Sequence, residues 1–132
     1  MAKVAILGLD SMPPAFFFGK HRADMPNLAR LMSKSLCARL ESTHPPITVP
    51  AWTSMMSSKD PGQLGFYGFR NRKDHSYDGY QFANATQIHE PLTWDVLGRH
   101  GKKSLLVGVP QTYPPRPIDG AISFSAQRGR RG

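Results

Sequence analysis

At 132 residues the chain fits one ordinary domain, which buries roughly two-thirds of the surface its unfolded form exposes. An apolar share of 39% supports a core, while twelve Gly and twelve Pro leave much of the chain in loops. Seventeen basic against nine acidic side chains give a net charge of +8, which favours anionic partners, and the single cysteine excludes an intramolecular disulfide or a cysteine-based metal cage.

Lys3 to Leu9 is a continuous apolar run closed by Asp10-Ser11 and then Pro13-Pro14. That pattern predicts a buried central strand ending at a loop. The run is too short to span a membrane and carries no small-residue cleavage site, so the chain reads as cytoplasmic. A polar residue at the carboxyl end of such a strand sits where open α/β sheets bind ligands, which singles out Asp10. Pro26 through Met32 predicts a helix, with Leu28, Leu31 and Met32 at helical spacing and Pro26 suited to the first turn. Leu36 to Glu41 alternates, with Leu36, Ala38 and Leu40 on one side, and predicts a strand. Cys37 lies in this stretch and is expected to pack in the interior.

The run His44-Pro45-Pro46-Ile47-Thr48-Val49-Pro50-Ala51-Trp52-Thr53-Ser54 follows, a proline-stiffened turn leading into a short helix from about Pro50 to Ser57. Residues 59–86 read as a long loop region with a strand near Tyr80-Gln81-Phe82. Pro91 to Arg99 predicts a helix with Leu92, Val96 and Leu97 inward and Gly101 as its stop. Lys103 to Val109 predicts a strand broken by Pro110, and Ala121 to Phe124 starts another. Strands alternating with helices indicate an α/β chain with a largely parallel sheet and no internal repeat.

Residues 1–124 form the folded part, and residues 125–132 a basic tail that reads as disordered or as the point where the fold is cut off. Arg128, Arg130 and Arg131 in that tail, and Arg70, Arg72 and Lys73 in the middle, read as solvated surface. No zinc-finger, helix-turn-helix or RNA-recognition signature accompanies them, which disfavours nucleic acid as a partner.

Thr48 and Asp10 carry the candidate chemistry. A threonine hydroxyl needs a base or a metal to become an effective nucleophile. No Ser-His-Asp arrangement suggests itself near Thr48, so a divalent cation is the alternative activator. A phosphate at the start of the following helix would meet its N–H groups and the positive end of its dipole. From the residues alone, a helix cap or turn residue is the default reading of Thr48, and a loop or capping role that of Asp10.

Six segments in order resemble the alkaline phosphatase superfamily, in its type I phosphodiesterase/nucleotide pyrophosphatase branch. Val4-Ala5-Ile6-Leu7-Gly8-Leu9-Asp10 is similar to the first strand and its metal-binding aspartate. Met25-Pro26-Asn27-Leu28-Ala29-Arg30-Leu31 resembles the Pro-Asn-Leu helix, and Pro45 through Ser54 the nucleophile segment. Asp60 through Phe69, Pro91 through Leu97, and Val107 through Pro115 also have counterparts.

The resemblance implies an alkaline-phosphatase-like three-layer sandwich with a largely parallel central sheet, incomplete on its C-terminal side. It implies a phosphohydrolase with two divalent metal ions, usually zinc with manganese as the alternative, acting on a phosphate ester. Thr48 would be the nucleophile that forms a phosphothreonine, and Asp10 and Thr48 would share one metal. Ala51 stands where nucleotide pyrophosphatases commonly place a phosphate-contacting Asn. The family's other ligands lie well downstream, and His21, His44, His75, His89 and His100 match none of their positions. The chain therefore reads as the N-terminal part of such a domain, inactive on its own and prone to self-association through an exposed sheet edge, with a frameshift or early stop and a genuine short protein both open as its origin. The competing reading is a non-enzymatic basic module for nucleic acid or another anionic partner.

Overall fold

The computed structural model describes residues 3–123. The chain divides into two compact units, Met1–Glu41 and Ser42–Gly132.

In the first unit, α1 spans Pro14–Phe18 and α2 spans Pro26–Met32, each opened by a proline in its first turn. Proline suits that position because its fixed φ is helical and its missing N–H has no partner to lose there. The α2 prediction is borne out, with Leu28 and Met32 half-buried one turn apart and Leu31 exposed. Two other expectations are corrected. Lys3–Leu9 and Leu36–Glu41 are not strands, and their apolar side chains face solvent, with Leu7 90% and Leu36 99% exposed. Their composition suits a strand, but a strand exists only where a neighbour takes its N–H and C=O groups. Neither segment has such a ladder among the described residues. Cys37 shares this fate: it is exposed, with Sγ 3.6 Å from the Met32 carbonyl, and is not the interior residue that its flanking pattern suggests.

The second unit contains α3 (Thr48–Ser57), α4 (Pro61–Leu64), β1 (Arg70–Arg72), β2 (Tyr80–Phe82), a 3-10 turn at Ala85–Gln87, α5 (Thr93–Arg99), β3 (Ser104–Val107) and β4 (Gly120–Ser123). Its core gathers Val49 and Met56 from α3 with Phe66, Ile88, Leu92 and Trp94. Trp52, Leu64, Leu106 and Ile118 pack against them. Val49 and Met56 are seven residues apart, two helical turns, so they lie on one face. Thr53 lies buried on the same helix, and its hydroxyl donates to the Val49 carbonyl at 2.8 Å, so the polar group costs little in the core. Thr93 ties α5 to the end of α3 by donating to the Met56 carbonyl at 2.9 Å.

The region 59–86 is more ordered than a long loop. Asp60 accepts from the Gln63 N–H, and Gln63 accepts in return from the Asp60 N–H, a capping box for α4. Gly65 closes that helix at φ 71°, in the left-handed region glycine tolerates. β1 and β2 form an antiparallel hairpin with Arg70 opposite Phe82 and Arg72 opposite Tyr80. The expected strand at residues 80–82 is present, and β1 is its unforeseen partner. Buried Asn71 anchors the hairpin, accepting from the Tyr67 N–H at 2.9 Å and donating to the Gly68 carbonyl at 3.0 Å.

Helix α5 is present where expected, but its inward residues differ. Leu92 and Trp94 are buried, whereas Val96 and Leu97 are 43% and 39% exposed. The helix is short and sinks its first turn into the core, so its central apolar residues turn outward. It ends at His100, where the Gly101 N–H bonds the Gly98 carbonyl and the Lys102 N–H bonds the Leu97 carbonyl. That is a Schellman stop with Gly101 left-handed at φ 64°. β3 and β4 pair in parallel, Ser104 with Gly120 through Val107 with Ser123, as the alternation of elements suggests. A Cβ on Gly120 would collide with the Ser104 carbonyl, so the ladder's first rung requires glycine. Leu106 packs against the core, while Leu105 and Val107 face outward. The described residues thus form mixed α/β structure with two two-stranded sheets, one parallel and one antiparallel. The expected tail at 125–132 lies outside the described residues.

Trp94→Ala should cost about 3–5 kcal/mol, because the cluster cannot close over the lost ring. Urea unfolding followed by circular dichroism will show loss of the cooperative transition, since that cost is a large part of a small domain's stability. Gly101→Ala should cost about 1–2 kcal/mol by the same measurement, through strain at positive φ.

Candidate functional site

The turn before α3 is built from local hydrogen bonds. The Pro45 carbonyl accepts from the Ile47 N–H at 3.0 Å and from the Thr43 hydroxyl at 2.9 Å. Two donors on one carbonyl, with Pro45 and Pro46 restricting φ, leave the segment few alternative conformations. Ile47 then takes the N-cap position in an extended conformation, φ −112° and ψ 148°, with no side-chain cap bond. Thr48 is the first helical residue, so the capping role that its sequence context admits belongs to another position.

The first helical hydrogen bond runs from the Ala51 N–H to the Ile47 carbonyl at 3.0 Å. The N–H groups of Thr48 and Val49 therefore lie ahead of the intrahelical ladder, and Pro50 has none. The helix dipole adds partial positive charge at this end. Thr48 is half-buried, and the next two residues, Val49 and Pro50, are fully buried. The hydroxyl-bearing residue is thus carried on a helix whose first turn is set in the core. Thr43 was not among the residues singled out by sequence reasoning. Its signal was available, a Thr two residues before the first proline of a turn.

Asp10 is an exposed turn residue after the irregular segment 3–9, followed by Ser11 at φ 57°. It belongs to the first unit and Thr48 to the second. Among the described residues no group of three or more His, Cys, Asp or Glu side chains could hold a metal ion. A catalytic zinc typically takes three protein ligands. The described donors therefore do not fit a metal centre by themselves, and no chemical step is derived through a metal.

No helix among the described residues is long and apolar enough to cross a membrane. No curated protein and no solved structure gives a significant match. The model of the type I phosphodiesterase / nucleotide pyrophosphatase family matches residues 4–130, nearly the whole chain. That family acts on phosphate esters and is generally metal-dependent, so phosphodiesterase or pyrophosphatase function is what it implies here. The ordered series of motifs from Val4 to Pro115 and the match over residues 4–130 agree, and the chain belongs to the type I phosphodiesterase / nucleotide pyrophosphatase family.

Proposed function

We propose that this chain carries the nucleophile segment of a phosphodiester or pyrophosphate hydrolase of alkaline-phosphatase type, with Thr48 as the attacking group. The observation that carries the reading is the placement of Thr48 as the first residue of a core-anchored helix, within the family's nucleophile segment. In the reaction the Thr48 Oγ1 forms a bond to phosphorus as the ester P–O bond breaks. The hydroxyl proton ends on the departing alcohol. Water then cleaves the phosphothreonine and restores the hydroxyl. The helix N-terminus favours the phosphoryl oxygens, and the net charge of +8 favours approach of the anionic ester.

Asp10 is the proposed metal ligand, and two divalent ions, zinc or manganese, are the proposed cofactors. Support for that part comes from the family resemblance of the segment Val4–Asp10. The described donors do not make up such a centre, so the chain by itself should have little turnover.

Two measurements on the purified chain test this reading. With a p-nitrophenyl phosphodiester and added zinc or manganese, turnover should be slow. What turnover there is should vanish in Thr48→Ala and persist in part in Thr48→Ser. Residual turnover that Thr48→Ala leaves unchanged would remove the nucleophile assignment, and fast turnover would overturn the claim of weak activity. Urea unfolding of Thr48→Ala checks that the variant still folds, so that lost turnover reports the hydroxyl rather than the fold.

A further inference from the structure

The outward face of the β1–β2 hairpin presents a chemistry that the nucleophile segment does not use. Directly opposed residues of an antiparallel pair project to the same side. Arg70 opposes Phe82, and Arg72 opposes Tyr80, while Asn71 and Gln81 turn to the other side, where they are buried and half-buried. One solvent-facing surface therefore sets two guanidinium groups on one strand beside two aromatic rings on the other. Tyr80 and Phe82 are 56% and 64% exposed. Lys73, whose N–H bonds the Gly79 carbonyl in the same register, falls on the Asn71 side, and exposed Tyr77 sits in the connecting loop.

The cations are held in place by the rings. The Arg70 guanidinium lies 5.3 Å from the Phe82 centroid, and that of Arg72 lies 4.3 Å from the Tyr77 centroid. A cation–π contact orients a guanidinium without consuming its N–H donors. Among the described residues neither guanidinium is in an ion pair. The carboxylates on this element, Asp74 and Asp78, are in the loop beyond the strands. Asp74 accepts from the Ser76 N–H at 2.7 Å, and hydrogen bonds from the Ser76 side chain and backbone hold its pKa below the ordinary carboxylate value. Both carboxylates lie outside the paired rungs, leaving the ribbon face cationic.

A compact anion would call for cations converging on one point. Here Arg70 and Arg72 are instead spaced two residues apart along a strand, about 7 Å, with flat apolar rings alongside. Cations in a row beside exposed rings match a chain that alternates phosphates with bases. We propose that this hairpin face binds single-stranded nucleic acid, with Arg70 and Arg72 on phosphates and Tyr80 and Phe82 stacking on bases. The inference is independent of the chemistry assigned to Thr48.

The test is fluorescence anisotropy of a labelled twelve-nucleotide oligothymidylate with the full chain. A full-length Arg128→Ala/Arg130→Ala/Arg131→Ala variant separates the tail's contribution. On that variant, two phosphate contacts predict affinity falling about sevenfold between 50 and 200 mM salt. Adding Arg70→Ala/Arg72→Ala should weaken binding at least about tenfold and flatten the salt dependence. Adding Tyr80→Leu/Phe82→Leu should weaken binding with the salt dependence unchanged. Circular dichroism checks that each variant folds, and Arg70→Lys/Arg72→Lys, which should retain most of the affinity, serves if the alanine variant does not. Absence of binding at 50 mM salt, or hairpin variants that bind as tightly as their parent, would overturn the proposal. So would base-free polyphosphate competing as well per phosphate as the oligonucleotide.

Discussion

The burial of Val49 and Pro50 at the start of α3 is the constraint on which the second unit depends. These two residues are the largest side chains that are fully buried, and Val49 belongs to the cluster of Met56, Phe66, Ile88, Leu92 and Trp94. The cluster draws on α3, α5 and the segments between them, so it fixes where α3 begins relative to the rest of that unit. The residue just before this pair is Thr48. Its location is therefore set by core packing, while the turn ahead of it is set by Thr43 and Ile47 converging on one carbonyl. A side chain held this way has little conformational freedom left to lose, which is the general advantage of a preorganised position.

The two units show opposite answers to the same backbone requirement. In the second unit β3 and β4 satisfy each other's N–H and C=O groups, and β1 and β2 do likewise. In the first unit the apolar segments 3–9 and 36–41 have the composition of strands but no ladder, and they are exposed. The parallel pair shows the same shortage in milder form. Parallel sheets are ordinarily covered on both faces, yet Leu105 and Val107 face outward. Apolar composition supplies a reason to be buried, but it cannot supply the neighbour.

Much of the architecture was legible in the residues. Helices α2 and α3 announce themselves through a proline in the first turn and apolar spacing, and α5 through apolar residues and its glycine stop, all local signals. The β3 and β4 runs and the strand at residues 80–82 were likewise readable. The inward face of α5 was not, because Leu92, Trp94, Val96 and Leu97 are all apolar and spacing alone cannot rank them. Docking of the first turn decided for Trp94. Strand β1 was hidden because Arg70-Asn71-Arg72 has no apolar period; it pairs through backbone and is anchored by the buried amide of Asn71.

By itself the sequence determined the family, through the order of its motifs, and determined which hydroxyl and which carboxylate are the candidates, Thr48 and Asp10. It also determined the turn, because prolines and neighbouring hydroxyls act within a few residues. Only the tertiary structure decided that Ile47, not Thr48, occupies the cap position, that Cys37 is exposed, and that arginines and aromatic rings share one face of the β1–β2 hairpin. Each of these depends on which distant segment supplies a neighbour or a register. Residue type and local spacing carry no information about that choice.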